Sequence, residues 1–279
     1  MTRPRIAILM ATYNGAQYVA EQIESILCQT LTDWTLYIHD DGSTDDTRVI
    51  ITRYADAHDN IVVMSHEGGN GPIENFLGML RTVEAEYYMF SDQDDVWEPH
   101  KVEREMAAMR EAEAEDDSLP IIVHSDLSVV GSSLQPLHPS FLRYTRLRPD
   151  CIKTFSHAVE PFITGCTMLF NRAARDAVTY PATTAIMHDI WVALCTLSKG
   201  GRIILIDEPL VLYRQHGHNA LGARDIHHVT LAYRIKRIRQ IIDDKKKYYA
   251  MLRALGYGSW LKYIKNKIRM MYKVRRRRA

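Results

Sequence analysis

Asp92-Gln93-Asp94-Asp95 places three carboxylates within four residues, directly after the apolar run Tyr87 to Phe90. Carboxylates on a loop at a strand end are the ligand type of Mg²⁺ and Mn²⁺, hard cations that also bind phosphate oxygens. An acidic turn capping a following helix would use the same residue types, with Pro99 at the helix start. Two more polar clusters follow apolar runs, Thr12-Tyr13-Asn14 and Asp40-Asp41-Gly42-Ser43, and that alignment favours the metal reading. Asp40 or Asp41 can accept from a ribose hydroxyl or a pyrimidine imide NH. Ser43 or Thr44 offers a helix N-cap, with Asp45 and Asp46 favouring the helix dipole.

His188-Asp189 opens the apolar stretch Ile190 to Leu194, where an Asp is either an N-cap or a base held at a helix start. Arg214-Gln215-His216-Gly217-His218-Asn219 follows the run Leu210 to Tyr213. Its Arg and His can partner a diphosphate or a metal, or form a polar surface loop.

The elements that must position these groups alternate. Ile6 to Ala11 reads as a buried strand, and the next helix carries Tyr18, Val19, Gln22, Ile23, Ile26 and Leu27 at helical spacing. Thr35 to His39 is a second strand, followed by a helix turning Val49, Ile50, Tyr54 and Ala55 inward. Ile61 to Met64, a helix over Ile73 to Val83 and a strand over Tyr87 to Phe90 complete the pattern of a parallel sheet covered on both faces. Ligands of such sheets bind beyond the carboxyl ends of the strands, where the polar clusters fall. Farther on, Ile121 to His124, Thr164 to Phe170, Ile203 to Ile206 and Leu210 to Tyr213 read as strands, and Met187 to Ser198 as a helix. From about Ile226 the pattern is helical and basic, so the expected division is a body over 1–225 and an extension over 226–279.

Residues 233–279 hold 17 Lys/Arg against Asp243 and Asp244, a net of +15. The whole chain is +1, so residues 1–232 carry 18 basic and 32 acidic groups, a net of −14. On a helix Leu261, Ile264, Ile268, Met271 and Tyr272 share one face, with Trp260 at its margin and most cations elsewhere. That is the composition of a helix lying on an anionic membrane surface. No secretory leader and no membrane-length apolar run is read from the chain, which implies a cytoplasmic protein, peripheral at the inner face of the cytoplasmic membrane. The four cysteines form no CxxC pair, so zinc knuckles and redox dithiols are not suggested.

Taken in order, Met10-Ala11-Thr12-Tyr13-Asn14-Gly15, Asp40 to Thr47, Gly71-Pro72-Ile73-Glu74-Asn75-Phe76, Phe90 to Trp97, Thr164-Gly165-Cys166, His188-Asp189 and Tyr213 to Asn219 resemble a family-2 glycosyltransferase of the GT-A fold. The SDQDDVW and YRQHGxN wording is most similar to the bacterial rhamnosyltransferase-like branch. The resemblance implies an α/β fold with a Rossmann-like, mostly parallel sheet flanked by helices. It implies inverting transfer of a sugar, rhamnose included, from a UDP- or dTDP-linked donor to a saccharide or lipid-linked acceptor in cell-surface polysaccharide synthesis. Thr12, Tyr13, Asn14, Asp40, Asp41, Asn75, Asp92 and Arg214 would bind the donor. Asp94, Asp92 and His216 would hold Mn²⁺ or Mg²⁺, and Asp189 would be the general base.

A nucleotidyltransferase should carry a Gly-rich basic phosphate loop after the first strand, and a dinucleotide-binding fold GxGxxG; Thr12-Tyr13-Asn14-Gly15 is neither. A nucleic-acid-binding protein would account for the tail but not for the acidic body. A protein that binds a nucleotide sugar without transferring it differs from the enzyme only in turnover.

Overall fold

A computed structural model describes residues 5–64, 71–216 and 238–276. Strands β1 (Ile6–Thr12), β2 (Trp34–Asp40), β3 (Ile61–Val63) and β4 (Tyr87–Ser91) alternate with helices α1 (Val19–Leu27), α2 (Thr47–Ala57) and α3 (Gly71–Thr82). β5 (Val96–Trp97), α4 (Lys101–Glu113), β6 (Ile121–Gly131), β7 (Pro136–His138) and α5 (Phe141–Thr145) follow. Then come β8 (Met168–Asn171), α6 (Arg172–Asp176), α7 (His188–Ser198), β9 (Arg202–Gln215), α8 (Ile238–Ala254) and α9 (Trp260–Arg276). Among the described residues the strands form one sheet in the order β3-β2-β1-β4-β8-β6-β9-β5, with β7 on β6.

The four strands β3-β2-β1-β4 are parallel, as is the long β6–β9 ladder, whereas β8, β5 and β7 run antiparallel to their neighbours. β1 lies at the centre of the parallel part. Its alternate residues serve both faces: Ala7 and Leu9 pack with Phe76, Phe90 and Trp191, and Ile6, Ile8 and Met10 with Ile23, Leu36 and Met106. A strand covered on both sides must be apolar throughout, which is why it reads as an unbroken run.

Three local expectations change. α2 turns Ile51 inward (1% exposed) and leaves Val49 69% exposed. The helix starts one residue after Asp46, and the Thr47 hydroxyl accepts from Gly15 N at 2.8 Å. That buries Thr47, hence Ile51 one turn on, and sends Val49 to solvent. Neither Ser43 nor Thr44 caps this helix; Asp45 Oδ1 accepts from Thr47 N instead. Residues 165–167 form a 3-10 turn rather than the start of a strand, since Thr167 N bonds back to Thr164 O. The strands expected at 203–206 and 210–213 are one strand. Its ladder with β6 slips so that Ser125 faces Ile206 and Asp126 faces Pro209, taking up Asp207 and Glu208 as a bulge.

The described part of the C-terminal segment is docked. Tyr248, Met251, Leu252, Tyr257, Tyr263 and Met270 join the core around Phe76 and Trp191. The Tyr257, Tyr248 and Tyr263 hydroxyls donate to the carbonyls of Ser156, Ala158 and Val159. The expected boundary at 225–226 lies outside the described residues. Among the described residues no helix is long and apolar enough to cross a membrane.

Candidate donor and acid site

The carboxyl ends of β1, β2 and β4 are in register, Thr12 opposite Asp40 and Met10 opposite Ser91. Their loops therefore meet. Asp40 Oδ1 accepts from Thr12 Oγ1 at 3.0 Å and from Ser43 Oγ at 2.5 Å, and Oδ2 accepts from Ser43 N at 3.0 Å. Its carboxylate thus builds the turn, with Arg48 Nε 3.7 Å away. Asp41 stands beside it, taking Gly71 N on Oδ2 at 3.0 Å. Asn14, at φ +47°, accepts from Thr44 N on Oδ1 and donates its own N–H to Ser43 Oγ. The Gln93 side-chain amide pairs with both the N–H and the carbonyl of Tyr13 at 2.9 and 3.0 Å, tying the β1 loop to the acidic loop. Gly15 leaves room for that amide, since a Cβ would lie 2.1 Å from Gln93 Oε1 and push the side chain off Tyr13. The Tyr13 side chain is left 56% exposed, a ring free to stack on a planar ligand. Asn75, on α3, is buried, and its Oδ1 has no partner among the described residues.

The acids lie on the connection from β4 to β5. Asp94 Oδ2 is 2.7 Å from His216 Nε2. Asp95, fully buried, accepts from Arg214 N on Oδ1 at 3.1 Å. Among the described residues its Oδ2 has no partner within hydrogen-bond distance, and only the weakly donating Cys166 thiol stands beside the carboxyl. Ligand atoms of Asp92, Asp95 and Cys166 lie within 4.8 Å of one another. Burial, then Asp94 and Asp189, push the Asp92 carboxyl up to about 7. Burial, then Asp94 and Asp92, hold Asp95 well above the usual carboxylate range. Crowded carboxylates with an orphaned oxygen are the electrostatic imprint of a cation site. These residues fit a hard divalent ion. Burial and the two acids keep Cys166 a neutral thiol, a poor ligand for such an ion.

Asp189 lies in the first turn of α7, with Met187 and not Asp189 at the cap position. Its Oδ1 accepts from Ile190 N at 2.6 Å and Oδ2 from Gly165 N at 2.9 Å. Burial raises its pKa to about 6 against those two N–H groups. Gly165, held by Asp189, precedes Cys166, whose Sγ lies within 4.8 Å of ligand atoms of Asp92 and Asp95, so helix α7 and the acidic loop meet at one site.

Arg214 departs from expectation. It is buried, donating from Nε to Asp94 O at 2.7 Å and from Nη1 to Ser132 O at 2.6 Å, and pairing through Nη2 with Glu21. Its guanidinium lies 4.6 Å from the Tyr18 ring centroid. Its contacts thus tie β9 to the acidic loop and to α1. Arg214→Ala should lower Tm by several degrees, from the loss of about 1–3 kcal/mol of buried hydrogen bonding. It should weaken nucleoside and nucleoside diphosphate binding equally; selective loss of the diphosphate with unchanged Tm would restore the phosphate contact.

The structure thus brings together Thr12, Tyr13, Asn14, Asp40 and Asp41 on one rim, and Asp92, Asp94, His216 and Asp189 at the acid centre. Gly217, His218 and Asn219 lie outside the described residues. Asp95 is read from the sequence only as part of the acidic run, and Gln93 and Glu21 are given no role there. Asp95 was visible as the third acid of its run, Gln93 was masked by the acids around it, and Glu21 leaves no local signal.

The family model Glycosyl transferase family 2 matches residues 7–178. The dTDP-rhamnosyl transferase RfbG of Shigella flexneri is 25% identical, covering 77% of this chain and 74% of its own. Among solved structures, S. aureus TarS superposes with a TM-score of 0.57 at 17% identity, over 76% of this chain. The chain spans 37% of that protein's length. The mannosyltransferase PcManGT from Pyrobaculum calidifontis, in complex with GDP-Man and Mn²⁺, gives 0.57 at 20% identity, over 93% of this chain and 66% of the other.

Proposed function

The chain belongs to glycosyl transferase family 2, and on that premise we propose that it is an inverting transferase moving rhamnose or a related hexose from a UDP- or dTDP-linked donor. The acceptor is a saccharide or a lipid-linked saccharide of cell-surface polysaccharide. The GT-A-type fold and nucleotide-sugar binding follow from the family; the donor reading draws on SDQDDVW and on the likeness to RfbG. The observation that carries the reaction is the meeting of the Asp92–Asp95 acids and Asp189 at the strand ends.

Thr12, Tyr13, Asn14 and Asp41 line the nucleotide, Tyr13 by stacking and Asp41 by accepting from base or ribose. Asn75 turns its amide toward the donor, and Asp40 supports Asp41 by fixing the turn. Asp92 and Asp94, with His216, would hold Mg²⁺ or Mn²⁺, which supplies positive charge to the departing diphosphate. Asp189, ionised and fixed by two backbone N–H groups, takes the proton of the acceptor hydroxyl as that oxygen attacks the anomeric carbon from the opposite face. One displacement through an oxocarbenium-like transition state inverts the centre. Thermal shifts with UDP, dTDP, GDP and CDP in Mn²⁺ test the donor site. A UDP or dTDP shift is expected, on the order of 2.7 kcal/mol at a hundredfold excess over Kd; silence from both would refute it.

The C-terminal helix attaches the enzyme to an anionic membrane at its cytoplasmic face. α9 has two apolar aspects. Tyr263 and Met270 are buried against the body, while Leu261 (79% exposed), Ile264, Ile268, Met271 and Tyr272 face outward. Lys262, Lys265 and Arg269 are exposed on its flank. The side chains of Lys273 and Arg275 to Arg278 lie outside those described. Deleting α9 would open the core, so the test is Leu261→Ser with Ile268→Ser and Met271→Ser in the full chain. The wild type should sediment with phosphatidylserine-containing vesicles and be released by salt. The triple variant should stay in solution with Tm unchanged; equal sedimentation of the two would reject attachment through this face.

A further inference from the structure

Helical spacing puts Tyr18 with the core-facing residues of the first helix, but the fold gives it other neighbours. Tyr18 lies one residue before α1, half-buried, and among the described residues it packs in neither apolar cluster of the core. Its backbone N–H donates to Gly15 O at 3.0 Å, so the loop assigned to the nucleotide runs directly into it. Its ring meets two polar side chains from the end of β9. The Arg214 guanidinium is 4.6 Å from the ring centroid, and the His216 ring centroid is 4.8 Å away, its plane tilted by 32°.

Both of those side chains hold Asp94. Arg214 Nε donates to the Asp94 carbonyl at 2.7 Å, and His216 Nε2 lies 2.7 Å from Asp94 Oδ2. One aromatic ring therefore covers the two groups that fix the backbone and the carboxylate of a proposed cation ligand. Ring pairs at this separation attract, and so does a guanidinium against an aromatic ring. An imidazole lone pair lies in the plane of its ring, so a rotation of the ring misdirects it. Partners that set the plane are for that reason part of a metal site. A leucine in place of Tyr18 would fill much of the space without supplying either ring contact.

We propose that Tyr18 is a positioning residue of the cation site, its ring setting the imidazole plane of His216 against Asp94 so that both present their ligand atoms to the ion. This rests on the reading of Asp92, Asp94 and His216 as ligands of Mn²⁺ or Mg²⁺. The test is titration of the full chain with Mn²⁺ in saturating UDP or dTDP, the free ion being read by electron paramagnetic resonance. Tm, and affinity for uridine and thymidine in EDTA, are measured alongside. Tyr18→Phe keeps the ring and should hold Mn²⁺ within about twofold of the wild type. Tyr18→Leu should weaken Mn²⁺ about fivefold to tenfold, the low end of what partners of metal ligands contribute, with nucleoside affinity in EDTA unchanged. Tyr18→Met, unbranched and without a ring, takes its place should Tyr18→Leu misfold. A folded ringless variant that binds Mn²⁺ as the wild type does, whatever its Tm, would overturn the proposal. So would Tyr18→Phe as weak as the ringless variant, or an equal loss of nucleoside affinity in EDTA, which would place the effect in the Gly15 loop. Absence of Mn²⁺ binding by the wild type with either diphosphate would instead refute the cation site itself.

Discussion

Asp189→Asn is expected to lower kcat by about a hundredfold or more and to leave donor affinity within about twofold. The magnitude is that of a general base, which contributes ~10²–10⁴ to rate. The substitution conserves size, and Asn Oδ1 can still accept one of the N–H groups of Gly165 and Ile190 that hold the carboxylate. It removes the ability to take a proton. The wild type adds a second signature. Burial raises the Asp189 pKa to about 6, so the fraction ionised, and with it kcat, falls as pH drops through about 6. Above that pH the base is charged and the rate levels off. The Asn variant lacks this titration, so the part of the pH dependence that Asp189 contributes should be missing from its residual rate, leaving that of Asp92, whose carboxyl is pushed up to about 7. Near-normal kcat in the variant would reduce Asp189 to a residue that fastens the 165–167 turn to α7.

Asp94→Asn is expected to abolish the metal-dependent part of donor binding, and EDTA to inactivate the wild type. Asp94 differs from its neighbours in position. Asp95 is sealed, with one oxygen on Arg214 N, whereas Asp94 reaches His216 Nε2 at 2.7 Å at the edge of the acid centre. An expected loss of about a hundredfold in kcat/KM reflects removal of a charge that helps hold the ion against the diphosphate. Binding of the bare nucleoside should be unaltered, since Thr12, Tyr13, Asn14 and Asp41 lie on the other rim. Full turnover in excess EDTA would remove the metal from the account and leave the acid run as a structural loop.

The parallel half of the sheet was legible because β1 to β4 are short apolar runs punctuated by polar strand ends, and chemistry sits at those ends. The second half was less so. Antiparallel β8 follows a 3-10 turn whose apolar wording, Ile163 to Phe170, looks like strand throughout. The bulge opposite Asp126 hides the continuity of β9 behind Asp207-Glu208-Pro209. Of the site, Asp94, His216 and Asp189 could be named because their residue types advertise chemistry. Arg214 is suggested for the same reason, since a guanidinium after a strand suggests phosphate, but its hydrogen bonds within the protein have no sequence signal. Only the three-dimensional placement of Glu21, Ser132 and Tyr18 shows that its donors point into the protein.

Acceptor-dependent turnover separates a transferase from a protein that merely holds a nucleotide sugar. Full-length protein is incubated with Mn²⁺, sugar-labelled UDP-glucose, UDP-N-acetylglucosamine or dTDP-rhamnose, and a glycolipid extract of bacterial membranes. The expected result is label passing into the lipid or saccharide fraction in equal amount to the nucleoside diphosphate released, suppressed at least a hundredfold by Asp189→Asn. A donor that binds in Mn²⁺ yet releases its diphosphate no faster with extract than without, or equally in the Asn variant, would contradict sugar transfer at this site.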